Sequence, residues 1–380
     1  MQILGAFAQW LIYVTALICF LCFPIRSEPL SSDLNIFAQD EIPQRILIKR
    51  DRIDIILDAK ILAPRQQKAP SALLILPLSE GPFAQEARAL GFNVALIDLD
   101  RLPEELRSLA VHEVGLNLKS LTKTTILLGF FDAQFSRSYL QNARIFDGLL
   151  VREVDLEPFR ALSTPIIHLW GEDAYWRRAP WRATRMNKKN IREFFISGET
   201  ASSLSMNCRK SEKPLGMMVA QKALLNALYA WVLGETPPAS RAPGPRDLIL
   251  AKELIWPEIG VGLMRPRDDR LVPRVDRDGN THSGLQLPDH VLPIATPLNF
   301  AMDQQRAKGA CPATSVAPFS SDKSEREKSH DPRQSLVERY GSRTYFVATM
   351  RVVAEKLVRE KLLLQQDAES YVRAAKDAPF

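Results

Sequence analysis

The chain predicts an α/β fold, a mostly parallel sheet flanked by helices, with a loop-rich C-terminal extension ending in helices. Three observations carry this. Short apolar runs of strand length recur between residues 45 and 196, and continuous apolarity marks strands buried on both faces. Stretches of helical spacing lie between several of them. Past residue 300 the chain turns polar, then regains apolar residues at helical spacing near its end.

In order, Arg45–Lys49 and Ile53–Leu57 read as neighbouring strands joined by the turn residues Arg50, Asp51 and Arg52. Residues 72–77 form a short continuous apolar strand. Phe83–Leu90 is a helix stopped by Gly91, and residues 92–97 are the next strand. Pro103–Leu118 is helical. Residues 146–151, 165–170 and 191–196 complete the strand series. Leu215–Leu233 is a helix between Pro214 and Gly234, and only Gln221, Lys222 and Asn226 interrupt its apolar surface, which predicts burial on most sides. Thr236–Pro245 is a rigid connector. Residues 247–300 alternate short apolar pieces with turns, and 303–334 read as loop. Ser342–Leu363 is a helix with Phe346, Met350, Val353 and Leu357 on one face, and a second helix starts near Asp367.

Composition bounds the function. At 46% hydrophobic and 25% charged residues the chain is an ordinary globular sequence. A net charge of +6 permits contact with anionic surfaces, but no nucleic-acid-binding signature accompanies it. No His/Cys/Asp/Glu cluster has metal-ligand spacing, so neither a metal nor another cofactor is expected. Residues 5–23 are apolar, with Gln9 the one strongly polar residue. The run matches a signal-peptide core and is short for a span of about 20 residues. Residues 1–27 are therefore expected to be a signal peptide or membrane anchor, placing the protein outside the cytoplasm or on a membrane. Residues 28–44 are expected to be a linker and 45–375 the folded domain. Cys208 and Cys311 are left for that domain, paired or as separate thiols.

The stretch from Thr124 to Leu140 is the chemical centre of the chain. A β-rich run, Thr125–Leu128, reaches Gly129, and beyond it Phe131, Phe135 and Tyr139 stand four apart, at helical spacing. Strand, glycine, helix is the layout of a G-x-S-x-G nucleophile elbow. Here the serine position holds Phe131, or Phe130 if the register slips by one.

The C-terminal half resembles a family of α/β-hydrolase domain proteins. Ala230-Trp231-Val232 with Gly234–Arg241 is similar to its W-V-x-x-G-x-x-P-P-x-S-R. Asp278-Gly279-Asn280, Gly284–Pro288 and Pro293–Thr296 are similar to its D-G-N…G-I-R-L-P…P-x-x-T, and Asp331–Tyr340 to its D-P-R-x-S-L-x-E-R-Y. These motifs span roughly residues 215 to 375. The resemblance implies an α/β-hydrolase fold and ester hydrolysis through Ser, an acid and His. The acid normally follows the strand ending here at Trp170, so Glu172 or Asp173 fits, and Asp173 is taken as the acid-like residue. The histidine normally follows the last strand, here Ser197–Ala201, where none occurs.

Ester hydrolysis by this route needs a hydroxyl, a base within hydrogen-bond reach and oxyanion donors. Phenylalanine supplies neither hydroxyl nor base. The expectation is therefore a hydrolase-like protein without an intact Ser/His pair, a binding or scaffold protein for a small ester or hydrophobic ligand. The alternative is an active carboxylic-ester-type hydrolase with a displaced set, Ser136 as nucleophile, Asp173 as acid and His282 as base. His290 is a further candidate base, and His168 reads as a core residue. A basic stretch from Tyr175 to Arg192, with Trp176 and Trp181, is either a solvated loop or a patch for a membrane surface. Used as a tether-side contact, it would make the chain a membrane-bound interaction protein.

Overall fold

A computed structural model describes residues 41–50, 53–65, 72–76, 81–97, 99, 102–121, 125–132, 144–155, 159, 161–172, 189–198, 216–257, 269–297 and 316–380. Eight strands form one sheet: β1 (Glu41–Arg50), β2 (Ile53–Leu62), β3 (Ala72–Leu76), β4 (Asn93–Ile97), β5 (Ile126–Asp132), β6 (Gly148–Arg152), β7 (Ile166–Gly171) and β8 (Ile191–Ile196). Their spatial order is β1-β2-β4-β3-β5-β6-β7-β8. β2 is antiparallel to both of its neighbours, and every pairing from β4 to β8 is parallel. The mostly parallel sheet is therefore as predicted, with β1 and β2 longer than the apolar runs suggested. The expected linker boundary at residue 44 is overrun, because β1 begins at Glu41 and pairs there with Leu62.

Helices cover the sheet. They are α1 (Pro82–Ala89), α2 (Glu104–Leu121) and α3 (Gly216–Val232) in the α/β part. The C-terminal part adds α4 (Pro288–Val291), α5 (Lys323–Ser329), α6 (Leu336–Tyr340), α7 (Arg343–Arg359) and α8 (Gln365–Lys376). Two short hairpins join them: β9 (Leu248–Leu250) with β10 (Leu271–Pro273), and β11 (Ala295–Pro297) with β12 (Val316–Pro318). Residues 316–318 and 323–329 thus correct the loop expected across 303–334. The α5 helix escaped notice because its sequence, KSEREKS, has no apolar face to read.

Alternation along each strand feeds two cores. Leu128, Phe130, Leu150, Ile167, Leu169, Phe194 and Ile196 pack on one face with α3 and the C-terminal helices. Leu127, Phe131, Leu149, Val151, Ile166 and Ile191 pack on the other with α2. The apolar α3 is buried as expected, including Gln221 and Lys222. Lys222 Nζ sits 2.8 Å from Asp367 on α8 and 3.3 Å from Glu86 on α1, so charge as well as apolar contact links α8 and α1 to α3.

Candidate functional site

In an open α/β sheet the carboxyl ends of the strands are where ligands bind. At the end of β5 the strand does not stop at Gly129. It continues through Phe131, which pairs with Val151, to Asp132, which pairs with Arg152. All seven β5 residues are buried. Phe131 therefore corrects two expectations: it does not open a helix, and it does not stand in a turn. Its ring meets Phe146 edge-on, 5.6 Å between centroids, and that apolar packing, with the ladder to β6, carries the strand onward. A Cβ on Gly129 would lie 2.9 Å from the Phe131 ring and 3.0 Å from Leu149 and Phe146, so the glycine serves close packing inside the strand. Asp132 then pairs with Arg152 at 2.9 Å, and the Arg152 guanidinium lies over Phe130. Ser136 and the expected helix to Tyr139 lie outside the described residues.

At the end of β7, Glu172, one of the two residues expected to fit the acid position, is only 4% exposed. One carboxylate oxygen accepts the Gly198 N–H, and the other accepts the Thr281 hydroxyl. Gly198 follows β8 with φ +75, a left-handed backbone that glycine adopts without strain. Asp173 lies outside the described residues.

The Thr281 segment belongs to the C-terminal block and runs beside β8. Leu285 N–H donates to Phe195 O at 2.6 Å, and Ser197 N–H donates to Leu285 O at 3.2 Å. The Ser197 hydroxyl donates to Ser283 O. His290, buried on α4, places Nε2 2.8 Å from Thr281 O. His282 is exposed, and its contacts run through the backbone: its N–H donates to Arg274 O and its carbonyl accepts from Gln286 Nε2. The two histidines, close in sequence, end in opposite environments. The displaced trio of Ser136, Asp173 and His282 is represented among the described residues by His282 alone.

Sequence reasoning had Glu172 and His290 as candidates but not their juxtaposition. The signal was faint: Leu285, buried in an apolar-polar alternation after Gly284, is what adds this segment to β8.

The residues of the D-G-N, P-x-x-T and D-P-R motifs are mutually bonded. Arg339 pairs with Asp278 at 2.8 Å. The Thr296 hydroxyl donates to Asp278 O at 2.5 Å, and Arg333 donates to Thr296 Oγ1, Ala317 O, Pro318 O and Asp331. Burial works to raise the Asp331 carboxyl, but the hydrogen bonds and charge of Arg333 outweigh it and hold the group below its usual range.

His168 is fully buried in β7 and edge-on to Trp170, 5.3 Å between ring centroids. Burial pulls its pKa down from 6.5 to about 3, with the Val154 backbone offsetting only part of the loss. It is a neutral core imidazole in the middle of β7. In the basic stretch, Arg192 stacks over Trp231 at 5.0 Å; residues 175–188 lie outside the described residues, as do Cys208, Cys311 and residues 1–40. Among the described residues no group of three or more His, Cys, Asp or Glu side chains is placed to hold a metal ion, and no helix is long and apolar enough to cross a membrane.

A family profile described as an alpha/beta hydrolase domain matches residues 163–373, more than half of the chain. Among solved structures, dienelactone hydrolase from Anabaena variabilis is similar at 15% identity and a TM-score of 0.37, covering 51% of this chain and 99% of its own. Est1E from Butyrivibrio proteoclasticus is similar at 12% identity and a TM-score of 0.33, covering 50% and 97%. XC6422 from Xanthomonas campestris, a serine hydrolase without a lid, is similar at 12% identity and a TM-score of 0.34, covering 52% and 98%. No curated protein matches.

Proposed function

The chain belongs to the alpha/beta hydrolase domain family, and from that premise we propose that it is an ester-hydrolase-like protein without an intact serine–histidine pair. It binds a small ester-like or hydrophobic ligand at the carboxyl ends of β5–β8 and is impaired in serine-dependent hydrolysis. The observation that carries this reading is β5, which stays a buried strand through Phe131 and from Ile126 to Asp132 contains no hydroxyl or thiol. Beside it, Gly198 N–H and the Thr281 hydroxyl donate to the two oxygens of Glu172.

The test is labelling of the purified chain with a fluorophosphonate serine probe, alongside turnover of short acyl esters. No labelling is expected. Stoichiometric labelling that disappears in Ser136→Ala sinks the reading.

The second reading, an active hydrolase with a displaced set, is favoured by one observation. A buried carboxylate is retained at the acid position although burial of a charge is costly. Export or membrane attachment through residues 1–27 completes the proposal, resting on the apolar run at residues 5–23. N-terminal sequencing of the mature protein tests it; a cytoplasmic chain starting at Met1 and free of membrane would overturn it.

A further inference from the structure

The turn after β8 has no histidine, yet this corner of the fold contains an imidazole. A Cβ on Gly198 would lie 2.5 Å from His290 Nδ1. The ring therefore fills the space that a side chain at position 198 would need. It arrives from α4, more than ninety residues later in the chain. The Thr281 carbonyl can only accept a hydrogen bond, so the His290 nitrogen facing it, Nε2, bears the proton. In the neutral ring Nδ1, on the edge toward Gly198, is then the nitrogen with the lone pair. Thr281 bonds the imidazole through its carbonyl and Glu172 through its hydroxyl. Carboxylate, threonine and imidazole form one connected set, and His290 is 8% exposed.

We propose that His290 is the base of this corner, standing in from α4 for a histidine in the turn. The inference rests on the reading of the β7–β8 corner as the ligand site. Its chemistry needs no serine. Nδ1 accepts a proton from water as the water oxygen attacks the acyl carbon of an activated ester. The bond from that carbon to the leaving oxygen breaks, the phenolate departs with the electron pair, and the proton on Nδ1 passes to solvent. Thr281 acts as a positioning residue, holding the tautomer through its backbone and meeting Glu172 through its side chain.

The experiment uses the full chain and 4-nitrophenyl acetate, after treatment with a fluorophosphonate. Slow turnover that survives the probe is expected. His290→Ala should lower it at least about tenfold, in keeping with the usual worth of a general base, while His112→Ala, on α2, leaves it unchanged. His290→Gln keeps a donor for the Thr281 carbonyl and most of the volume but has no base. A folded His290→Gln chain should therefore lose turnover as His290→Ala does, and added imidazole should rescue only the alanine variant. Turnover equal in the wild type and in folded His290→Gln overturns the proposal. Turnover abolished by the probe and by Ser136→Ala overturns the serine-independent reading instead, and the His290 variants then still decide whether this imidazole is the base.

Discussion

The buried His168 gives a sharp test of the core. Its imidazole is fully inaccessible, and neither ring nitrogen has a hydrogen-bond partner of good geometry. Its pKa falls from 6.5 to about 3, so the folded chain holds it neutral while the unfolded chain takes up a proton below the ordinary value. The sign follows by linkage. The contribution of this neutral imidazole is fully present above pH 6.5 and is lost as pH falls toward the folded value, because only the unfolded state binds the proton. The loss approaches about 1.4 kcal/mol per pH unit inside that window, so moving from pH 7.5 to pH 5 costs about 2 kcal/mol through this one group. The assay is urea unfolding of wild type and His168→Leu at both pH values. Carboxylates such as Asp331, held low by Arg333 against burial, titrate in both proteins and cancel in the comparison. The pH-dependent loss should be smaller in the variant by about 2 kcal/mol. Equal losses would refute the reasoning and mean that the ring is protonated or solvated in the folded chain.

Other substitutions test the packing and the corner. Phe131→Ser places a hydroxyl where the sequence resemblance expects one, but the residue is a buried strand position; it should cost about 3–5 kcal/mol of stability, read by denaturant unfolding, and gain no fluorophosphonate label. Gly198→Ala brings a methyl within 2.5 Å of His290 Nδ1 at a positive φ, and should destabilise by more than about 1 kcal/mol with loss of the histidine-dependent turnover. Lys222→Met strips Asp367 of its 2.8 Å partner inside α3 and α8; about 3–5 kcal/mol of stability should be lost, and Lys222→Met with Asp367→Leu should recover much of it in the same unfolding assay.

How much was legible follows from what each segment buries. Strands β3 to β8 were readable because both faces of the sheet are covered, so their sequences are mostly apolar, with Arg192 and Glu193 of β8 the main interruption. Helix α3 was readable for the same reason, and the ends of α7 within a few residues, since Ser342 caps Tyr345 N–H at its start. Phe131 misled because Phe131, Phe135 and Tyr139 repeat every four residues while Phe131 also continues the alternation of Leu127 and Gly129. Two periods fit the same residue, and pairing with Val151 decides for the strand. Glu172 and Asp173 were equivalent in sequence as acids after β7. The Thr281 hydroxyl, more than a hundred residues away, is what marks Glu172. No local pattern encodes that distance.

The motifs that identify the family and the residues that could do chemistry are different residues, for a physical reason. Arg333 satisfies four acceptors from β11, β12 and its own turn, and Arg339 neutralises Asp278 inside the same block. A buried guanidinium or carboxylate left without such partners would cost several kcal/mol, so the set is intolerant of piecemeal change and leaves a recognisable sequence. The Glu172 corner meets that block through Thr281, Ser283 and Leu285. It can lose a hydroxyl at one strand end and take an imidazole from another helix without disturbing the scaffold. If His290 is the base, then Thr281→Val, which removes the bond to Glu172 but keeps the carbonyl that faces Nε2, should lower kcat with KM little changed, while leaving the Arg333 network and the melting temperature nearly as they were. A thermal loss as large as that of Lys222→Met would instead make Thr281 part of the scaffold, and the separation argued here would fail.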